Sequence, residues 1–257
     1  MIMNSNRVYH LEPQLAENRR FWTGWSGSDP DADLAIYRAG IPHQIFNGVL
    51  RVRHWSLDEA VAETKRQLAG LPWVWWVGQD SDAGVADRLR GMGAEQTSSM
   101  PVMAADLAQT AQRTPLPDGL TIVHVSERST MPNFVSAYAT SFALPADSID
   151  MLIEHELKDI AGGRKIVRLA AVLDQRMVGT SMITLGPAVA GLFCVKTDPA
   201  YRRRGIGNAL TLAALHIARE AGQSIVTLQA TPAGKPLYER LGFTTVSHYR
   251  LFTFPAG

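Results

Sequence analysis

The sequence predicts an α/β protein made of two units that differ in composition. Short apolar segments typical of strands alternate with helical patterns along the 257 residues. The polar segment "QTAQRTPLPDG", residues 109–119, contains two prolines and a glycine, a composition typical of an interdomain linker. We therefore expect an N-terminal domain over residues 1–112, a linker over 113–119 and a second domain over 120–257. The uneven distribution of tryptophan supports this division, because all six precede the linker: Trp22, Trp25, Trp55, Trp73, Trp75 and Trp76.

The first half contains one clear helix between two strands. The segment "SLDEAVAETKRQLAG" opens with Ser56 and Glu59 in capping-box spacing and ends at Gly70, which predicts a helix over this stretch. The flanking segments "IFNGVLRVRHW" and "PWVWWVG" are rich in β-branched and aromatic residues, which predicts strands. A small mixed α/β unit follows from this pattern.

The second half has stronger periodicity. Helical patterns occur around 130–143, around 147–160 and from Gly205 to Gly222, and "GKPLYERLG" predicts one more short helix. Asp174-Gln175 fits the tip of a hairpin. Strands are predicted at "LTIVHVSE", "KIVRLAAVLD", "RMVGTSMITLG", "AGLFCVKT", "SIVTLQA" and "TTVSHYRLFTF".

Charge and cysteine content exclude several function classes. The chain has 25 Lys and Arg against 24 Asp and Glu, a formal charge of +1, so no global charge favours nucleic acid or an anionic membrane. The single cysteine, Cys194, cannot form an internal disulfide, and the N-terminal residues lack the pattern of a signal peptide, so we expect a cytoplasmic protein. The seven scattered histidines predict no metal site.

The segment "YRRRGIGNAL", residues 201–210, combines three arginines with two glycines where a helix is predicted to begin. A helix N-terminus presents unpaired N–H groups and about half a positive charge, and both favour a phosphate. Gly205 and Gly207 would let a phosphate approach the backbone closely. Neither a Walker loop nor a dinucleotide fingerprint fits, because Gly-Lys-Ser/Thr is missing and Leu210 replaces the third small residue.

The run from Arg202 to Gly207 matches the R/Q-x-x-G-x-G/A pattern of the GNAT superfamily of acyl-CoA-dependent N-acyltransferases, which most of residues 120–254 resembles. "FCVKTDPAYRRRGIGNAL" is similar to the family's central strand and pyrophosphate helix, and "LQATPAGKPLYERLGF" to its next strand and tyrosine-bearing helix. The resemblance implies a GNAT fold, a twisted mixed sheet with splayed central strands flanked by helices, and acetyl-CoA as cosubstrate without a metal. It also implies the following cofactor-binding residues: Phe193, Cys194 and Val195 along the pantetheine arm, and Arg202, Arg203, Arg204, Gly205, Ile206, Gly207, Asn208 and Ala209 around the pyrophosphate.

The same resemblance implies two catalytic groups. Tyr238 stands where the family has the general acid for the departing thiolate, although a purely packing role for this tyrosine stays open. The backbone N–H of Val195 would stabilise the oxyanion. Cys194 on the same strand has no neighbouring base in the sequence, so we expect a small buried packing residue.

The general base is not determined by the sequence. Some family members carry a glutamate on the central strand, but "GPAVAGLFCVK" offers no carboxylate before Asp198. The candidates from the remaining sequence are a water relay or one of four side chains: Glu154, His155, Glu156 and His248.

A faint internal repeat relates the two halves. "GVADRLRGMGAEQTSSMPVM" aligns with "GKPLYERLGFTTVSHYRLF", so that Met92-Gly93 matches Leu241-Gly242 and Leu89 takes the place of Tyr238. The first half therefore resembles a degenerate GNAT-like unit that lacks the phosphate motif and the acid. We expect its tryptophans to pack in the core or between the domains rather than to line an acceptor groove.

The expected activity is transfer of an acetyl group to a primary amine of a small molecule or peptide by direct attack. The alternative is a catalytically silent acyl-CoA sensor or partner-binding module. Expected partners are acetyl-CoA and the amine, without nucleic acid or membrane, and a homodimer is possible.

Overall fold

The computed structural model describes residues 7–111, 114–140, 142 and 144–255. Its helices are α1 Leu11–Thr23, α2 Leu57–Gln67, α3 Val85–Gly91, α4 Met131–Ala139, α5 Ala146–Ala161, α6 Ile206–Glu220 and α7 Lys235–Arg240. Its strands are β1 Leu34–Arg38, β2 Asn47–Val52, β3 Val74–Val77, β4 Glu95–Asp106, β5 Thr121–His124, β6 Ile166–Leu173, β7 Arg176–Leu185, β8 Ala190–Thr197, β9 Ile225–Gln229 and β10 Thr244–Thr253.

Ten strands from the described residues form a single mixed sheet in the order β1-β2-β3-β10-β4-β9-β8-β7-β6-β5. Helices cover both faces, with α6 and α7 packed on one face of the second half and α4 and α5 on the other. This arrangement confirms the predicted mixed α/β fold with a central sheet flanked by helices.

The last strand of the chain lies inside the first half of the sheet. β10 pairs antiparallel with both β3 and β4, whereas β4 pairs on its other side with β9 of the second half. The last strand of each half therefore lies between two strands of the other half: β10 lies between β3 and β4, and β4 lies between β10 and β9. The predicted linker at 113–119 stays a prediction, and residues 112 and 113 lie outside the described residues.

The predicted repeat is present in three dimensions. β3, α3 and β4 follow one another as β9, α7 and β10 do, and each short helix is followed by a left-handed glycine, Gly93 at φ 88° or Gly242 at φ 93°. Only glycine adopts such a backbone at no steric cost, which explains why a glycine ends the short helix in both copies of the repeat. Leu89 and Tyr238 each precede their glycine by one helical turn, and Leu89 is fully buried.

Most predicted elements are confirmed, including the α2 cap, where Ser56 Oγ accepts from the Glu59 N–H at 3.3 Å. Asp174 and Gln175 form the β6–β7 turn, both with positive φ. The helix predicted around 130–143 ends at Ala139, and residues 141 and 143 lie outside the described residues. Helix α1 and strand β1 were not predicted from the sequence.

The interleaved strands predict one cooperative unfolding transition for the whole chain. All six tryptophans lie in the first half, so their fluorescence reports on that half and, through Trp25, on its contacts with α5, whereas far-UV circular dichroism reports on the whole chain. Because β10 and β4 each depend on strands of the other half, we expect the two urea curves to superimpose. Two separated transitions would show that the halves unfold independently.

Candidate active site

The two central strands of the second half separate soon after they meet. β8 and β9 run parallel, and their pairing joins Ala190 to Val226 and Gly191 to Thr227. β8 then continues to Thr197 and β9 to Gln229, and a gap opens between the diverging strands. The splayed geometry implied by the family resemblance is present.

A β-bulge lies in β8 at the edge of this gap. Thr180 of β7 is opposite Lys196 and Met182 is opposite Phe193, so Cys194 and Val195 together face one residue, Ser181. Cys194 has a φ of 51°, which is unusual for a residue with a side chain. Such a bulge interrupts the regular pairing with β7 and redirects the backbone around Val195.

A cavity of about 310 Å³ occupies the gap. Three elements of the second half reach it: the bulged part of β8, the end of β9 and helix α7. The described residues in its wall are Phe21, Trp22, Ile45, Trp76, Met100, Tyr138, Phe142, Leu192, Phe193, Cys194, Val195, Lys196, Gln229, Thr231, Gly234 and Tyr238.

Tyr238 lies in this wall and is 8% exposed. Its ring packs edge-to-face on Phe243, with centroids 5.7 Å apart. Burial, with a smaller contribution from Cys194, raises the pKa of the phenol above its ordinary value of 10. The hydroxyl is therefore protonated throughout the neutral and mildly alkaline range.

Cys194 is half-buried, and desolvation of its thiol raises the pKa of that thiol to about 12. A thiol with this pKa holds its proton at neutral pH and is a poor nucleophile. The same desolvation would act on any other thiolate formed in the cavity. A thiolate leaving group here would therefore need a proton more than it would in water.

The predicted phosphate-binding segment forms the start of α6. Arg203 and Gly205 have left-handed backbones, with φ of 65° and 80°, and the helix begins at Ile206. In a helix the N–H groups of the first turn have no carbonyl partner within the helix. The regular pattern of α6 starts at Ala209, whose N–H donates to Gly205 O at 2.9 Å. The Ala209 amide is thus bonded within the helix, and binding of a phosphate by residues 202–209 stays a prediction.

The three arginines before the helix are exposed. The Arg204 guanidinium lies 5.3 Å from the Tyr201 ring centroid, a cation–π contact that orients the guanidinium. Burial lowers the pKa of Lys196, and the positive charge of Arg202 lowers it further. Positive charge is thus concentrated between the cavity and the helix start.

None of the four candidate bases belongs to the described wall of the cavity. Glu154 is exposed and lies 4.0 Å from Arg128, and His155 Nε2–H donates to Ala39 O at 2.8 Å while its ring stacks on Trp25. His248 lies on β10 and lines a different groove, beside the end of β3.

Glu156, the fourth candidate, is buried behind the cavity wall. Its carboxylate accepts from the Tyr138 hydroxyl at 2.9 Å and from Arg168 Nε at 2.6 Å. Burial raises the pKa of Glu156, and Arg168 opposes this shift. Asp159 continues the network, 3.6 Å from Arg168 and bonded to Trp25 Nε1 at 3.0 Å.

The first half supplies one side of the cavity. Trp22 of α1 and Trp76 of β3 line it, as does Phe21, which stacks on Phe193 with centroids 3.8 Å apart. Trp76 is in the buried core and Trp22 packs between core clusters, as expected, and both residues also line the cavity. Sequence reasoning missed these residues because they reach the cavity through tertiary contacts between the halves.

A mixed α/β fold, a bulged central strand and a helix start rich in arginine and glycine are the features that the resemblance to GNAT acyltransferases implies. Residues 133–243 match the model of the Acetyltransferase (GNAT) family. The match lies in the second half and covers less than half of the chain, so it is this segment that is similar to the family.

Relatives share the fold at low sequence identity. A GCN5-related N-acetyltransferase from Kribbella flavida superimposes with a TM-score of 0.67 at 16% identity, covering 100% of this chain and 98% of that chain. A tandem GNAT protein from the clavulanic acid biosynthesis pathway does so with a TM-score of 0.62 at 17% identity, covering 85% and 76%. These likenesses concern the fold.

A glucosamine 6-phosphate N-acetyltransferase of Trypanosoma brucei brucei is 35% identical over 75 residues, which are 26% of this chain and 51% of the relative. The match thus spans about half the length of that relative. In the described part of the chain, no helix has the length and apolar character needed to cross a membrane, and no group of three or more His, Cys, Asp or Glu could hold a metal ion.

Proposed function

We propose that the chain is an N-acetyltransferase that moves an acetyl group from acetyl-CoA to a primary amine of a small molecule or peptide. The observation that supports this most is the meeting of the β8 bulge and Tyr238 in one cavity between the splayed strands. A protein that only bound acyl-CoA would have no need of a protonated hydroxyl beside the thioester.

In this proposal acetyl-CoA lies along β8. The backbone of Phe193, Cys194 and Val195 holds the pantetheine arm, and the first-turn N–H groups of α6 hold the pyrophosphate. Positive charge from Arg202 and the neighbouring arginines complements the phosphates. The acetyl group then enters the cavity beside Tyr238.

The amine nitrogen attacks the thioester carbonyl carbon, and the carbonyl oxygen becomes an oxyanion that the Val195 N–H stabilises. Collapse of this intermediate breaks the carbon–sulfur bond and releases the thiolate. Tyr238 donates its hydroxyl proton to the sulfur, and the amine nitrogen loses a proton. The products are an N-acetyl amide and CoA in its thiol form, and Tyr238 regains its proton from the medium.

We assign removal of the amine proton to water. The described wall of the cavity has no carboxylate or imidazole, and Glu156 lies behind Tyr138 with both oxygens bonded. An amine with a pKa of about 10 is neutral in about one molecule per thousand at pH 7, so the rate should rise with pH.

The phosphate site is tested by Gly205→Val. A branched side chain at this left-handed position blocks the approach of a phosphate, and loss of one or two charge-assisted hydrogen bonds should raise the KM for acetyl-CoA by about 10- to 100-fold. The affinity of acetyl-CoA, measured by calorimetry, should weaken in parallel.

Gly222→Val is the matched control. Gly222 is exposed, has a φ of 78° and lies at the other end of the same helix, so its substitution brings similar backbone strain without touching the phosphate site. We expect its KM for acetyl-CoA to stay at the wild-type value. Equal effects of the two substitutions would attribute the loss to strain and remove α6 from the proposed site.

A further inference from the structure

We infer that the first half of the chain builds the acceptor pocket, and that this pocket selects a primary amine carried on a flat apolar group. The inference rests on the proposed acetyl transfer and adds the class of acceptor to it. The composition of the cavity wall on the side away from β8 supports it.

Aromatic rings of the first half form that side. Trp22 is half-buried, so part of its indole faces the cavity, and it packs against Trp76 and Tyr37 with centroids 6.1 and 5.5 Å away. Trp76 is 1% exposed and its Nε1–H donates to the Tyr37 hydroxyl at 3.0 Å. These contacts fix the indole planes before a ligand arrives, which favours a rigid flat partner.

The charge of the wall excludes two other acceptor classes. Lys196 is the one formally charged side chain among the described lining residues. An acceptor with a second ammonium group would find no carboxylate, and a sugar phosphate would find one lysine where phosphates favour several cations or a bidentate arginine. A neutral apolar body fits the wall better than either.

One polar group in the wall needs a ligand. The Gln229 side-chain nitrogen is buried and has no hydrogen-bond partner among the described residues, although Gln229 lies at the end of β9 beside the gap. A buried donor without a partner is costly.

The test compares 2-phenylethylamine with glucosamine 6-phosphate on the full chain. With acetyl-CoA saturating, we expect kcat/KM from thiol release to favour 2-phenylethylamine by at least about tenfold. Calorimetric titration of each amine into the protein with CoA bound gives affinity without turnover. A preference for glucosamine 6-phosphate in both measurements would overturn the inference.

Trp22→Leu should weaken 2-phenylethylamine binding by about tenfold and leave the KM for acetyl-CoA unchanged. Trp22→Phe keeps a ring and should restore most of the affinity. Trp73→Leu is the control, because Trp73 is equally half-buried but packs on Trp75 and Phe254 outside the cavity. Equal affinities in Trp22→Leu and the wild type would also overturn the inference.

The outcomes separate this inference from the proposed function. Binding of 2-phenylethylamine that depends on Trp22, without thiol release, would support the pocket and contradict the transfer. Thiol release with other amines, without binding of 2-phenylethylamine, would support the transfer and contradict the pocket. If Trp22→Leu does not fold, the comparison of the two amines on the wild type decides.

Discussion

Replacing Tyr238 with phenylalanine is expected to lower kcat by about 10²- to 10⁴-fold, the usual contribution of a general acid. The ring and its contact with Phe243 are kept, so the fold and the affinity for acetyl-CoA should not change. The loss should fall on the chemical step, because a thiolate formed in this buried cavity is destabilised and needs the proton. Single-turnover kinetics would measure that step directly.

The pH profile gives a second readout for Tyr238. Burial raises the pKa of its hydroxyl above 10, so the acid keeps its proton as the pH rises through 9. The wild-type rate should therefore increase with pH as the amine loses its proton, without a falling limb from Tyr238 below pH 10. A falling limb near pH 8 that disappears in Tyr238→Phe would contradict the raised pKa.

Tyr249→Phe is the control for this substitution. Tyr249 lies on β10 between strands β3 and β4 of the first half, is fully buried, packs edge-to-face on Trp76 with centroids 5.4 Å apart and is absent from the described wall of the cavity. Its kcat should equal that of the wild type. If Tyr238→Phe also keeps the wild-type rate of the chemical step, Tyr238 is a packing residue and the proton has another source.

Arg168→Met is expected to lower the free energy of unfolding by about 3–5 kcal/mol, because it leaves Glu156 as a buried charge without its cation. The Arg168 and Glu156 side chains are 2% and 1% exposed, and Asp159 would lose the same partner. The double variant Arg168→Met with Glu156→Gln removes both members of the pair and should recover part of the loss. Urea unfolding measures each variant.

Arg176→Met provides the comparison at the surface. Arg176 is 65% exposed and lies 3.3 Å from Asp198, and exposed pairs contribute about 0–1 kcal/mol. A similar loss in both single variants would show that burial does not determine the contribution of Arg168.

The second half could be predicted closely from its sequence because its signals are local. Apolar periodicity, Gly205 and the Asp174-Gln175 turn each act over a few residues, and each produced the expected element. The segment with the R-x-x-G-x-G pattern was predicted to lie at the start of a helix and Tyr238 on a short helix, and they lie at the start of α6 and on α7.

Helix α1 was missed because much of its buried surface is polar. Gln14, Glu17, Asn18 and Arg19 are all at most 3% exposed, and hydrophobic periodicity does not register such a face. Tertiary partners stabilise it instead, including the buried ion pair between Arg19 and Asp80. No pattern within the helix indicates those partners.

The exchange of β4 and β10 could not be predicted either. Strand pairing depends on contacts between residues that are distant in the sequence, and no local pattern in β10 indicates which strands it will pair with. The aromatic wall of the cavity follows from the way the halves meet, so Trp22 and Trp76 could not be assigned to it from the sequence.

The central claim is that the chain transfers the acetyl group and does not merely bind its carrier. The most direct test mixes acetyl-CoA with a broad panel of primary amines, detects the N-acetyl products by mass spectrometry and measures acetyl-CoA affinity on the same preparation. We expect CoA release matched by an equal amount of N-acetyl product for at least one amine. Tight acetyl-CoA binding with no product from any amine would contradict the claim and would favour an acyl-CoA sensor.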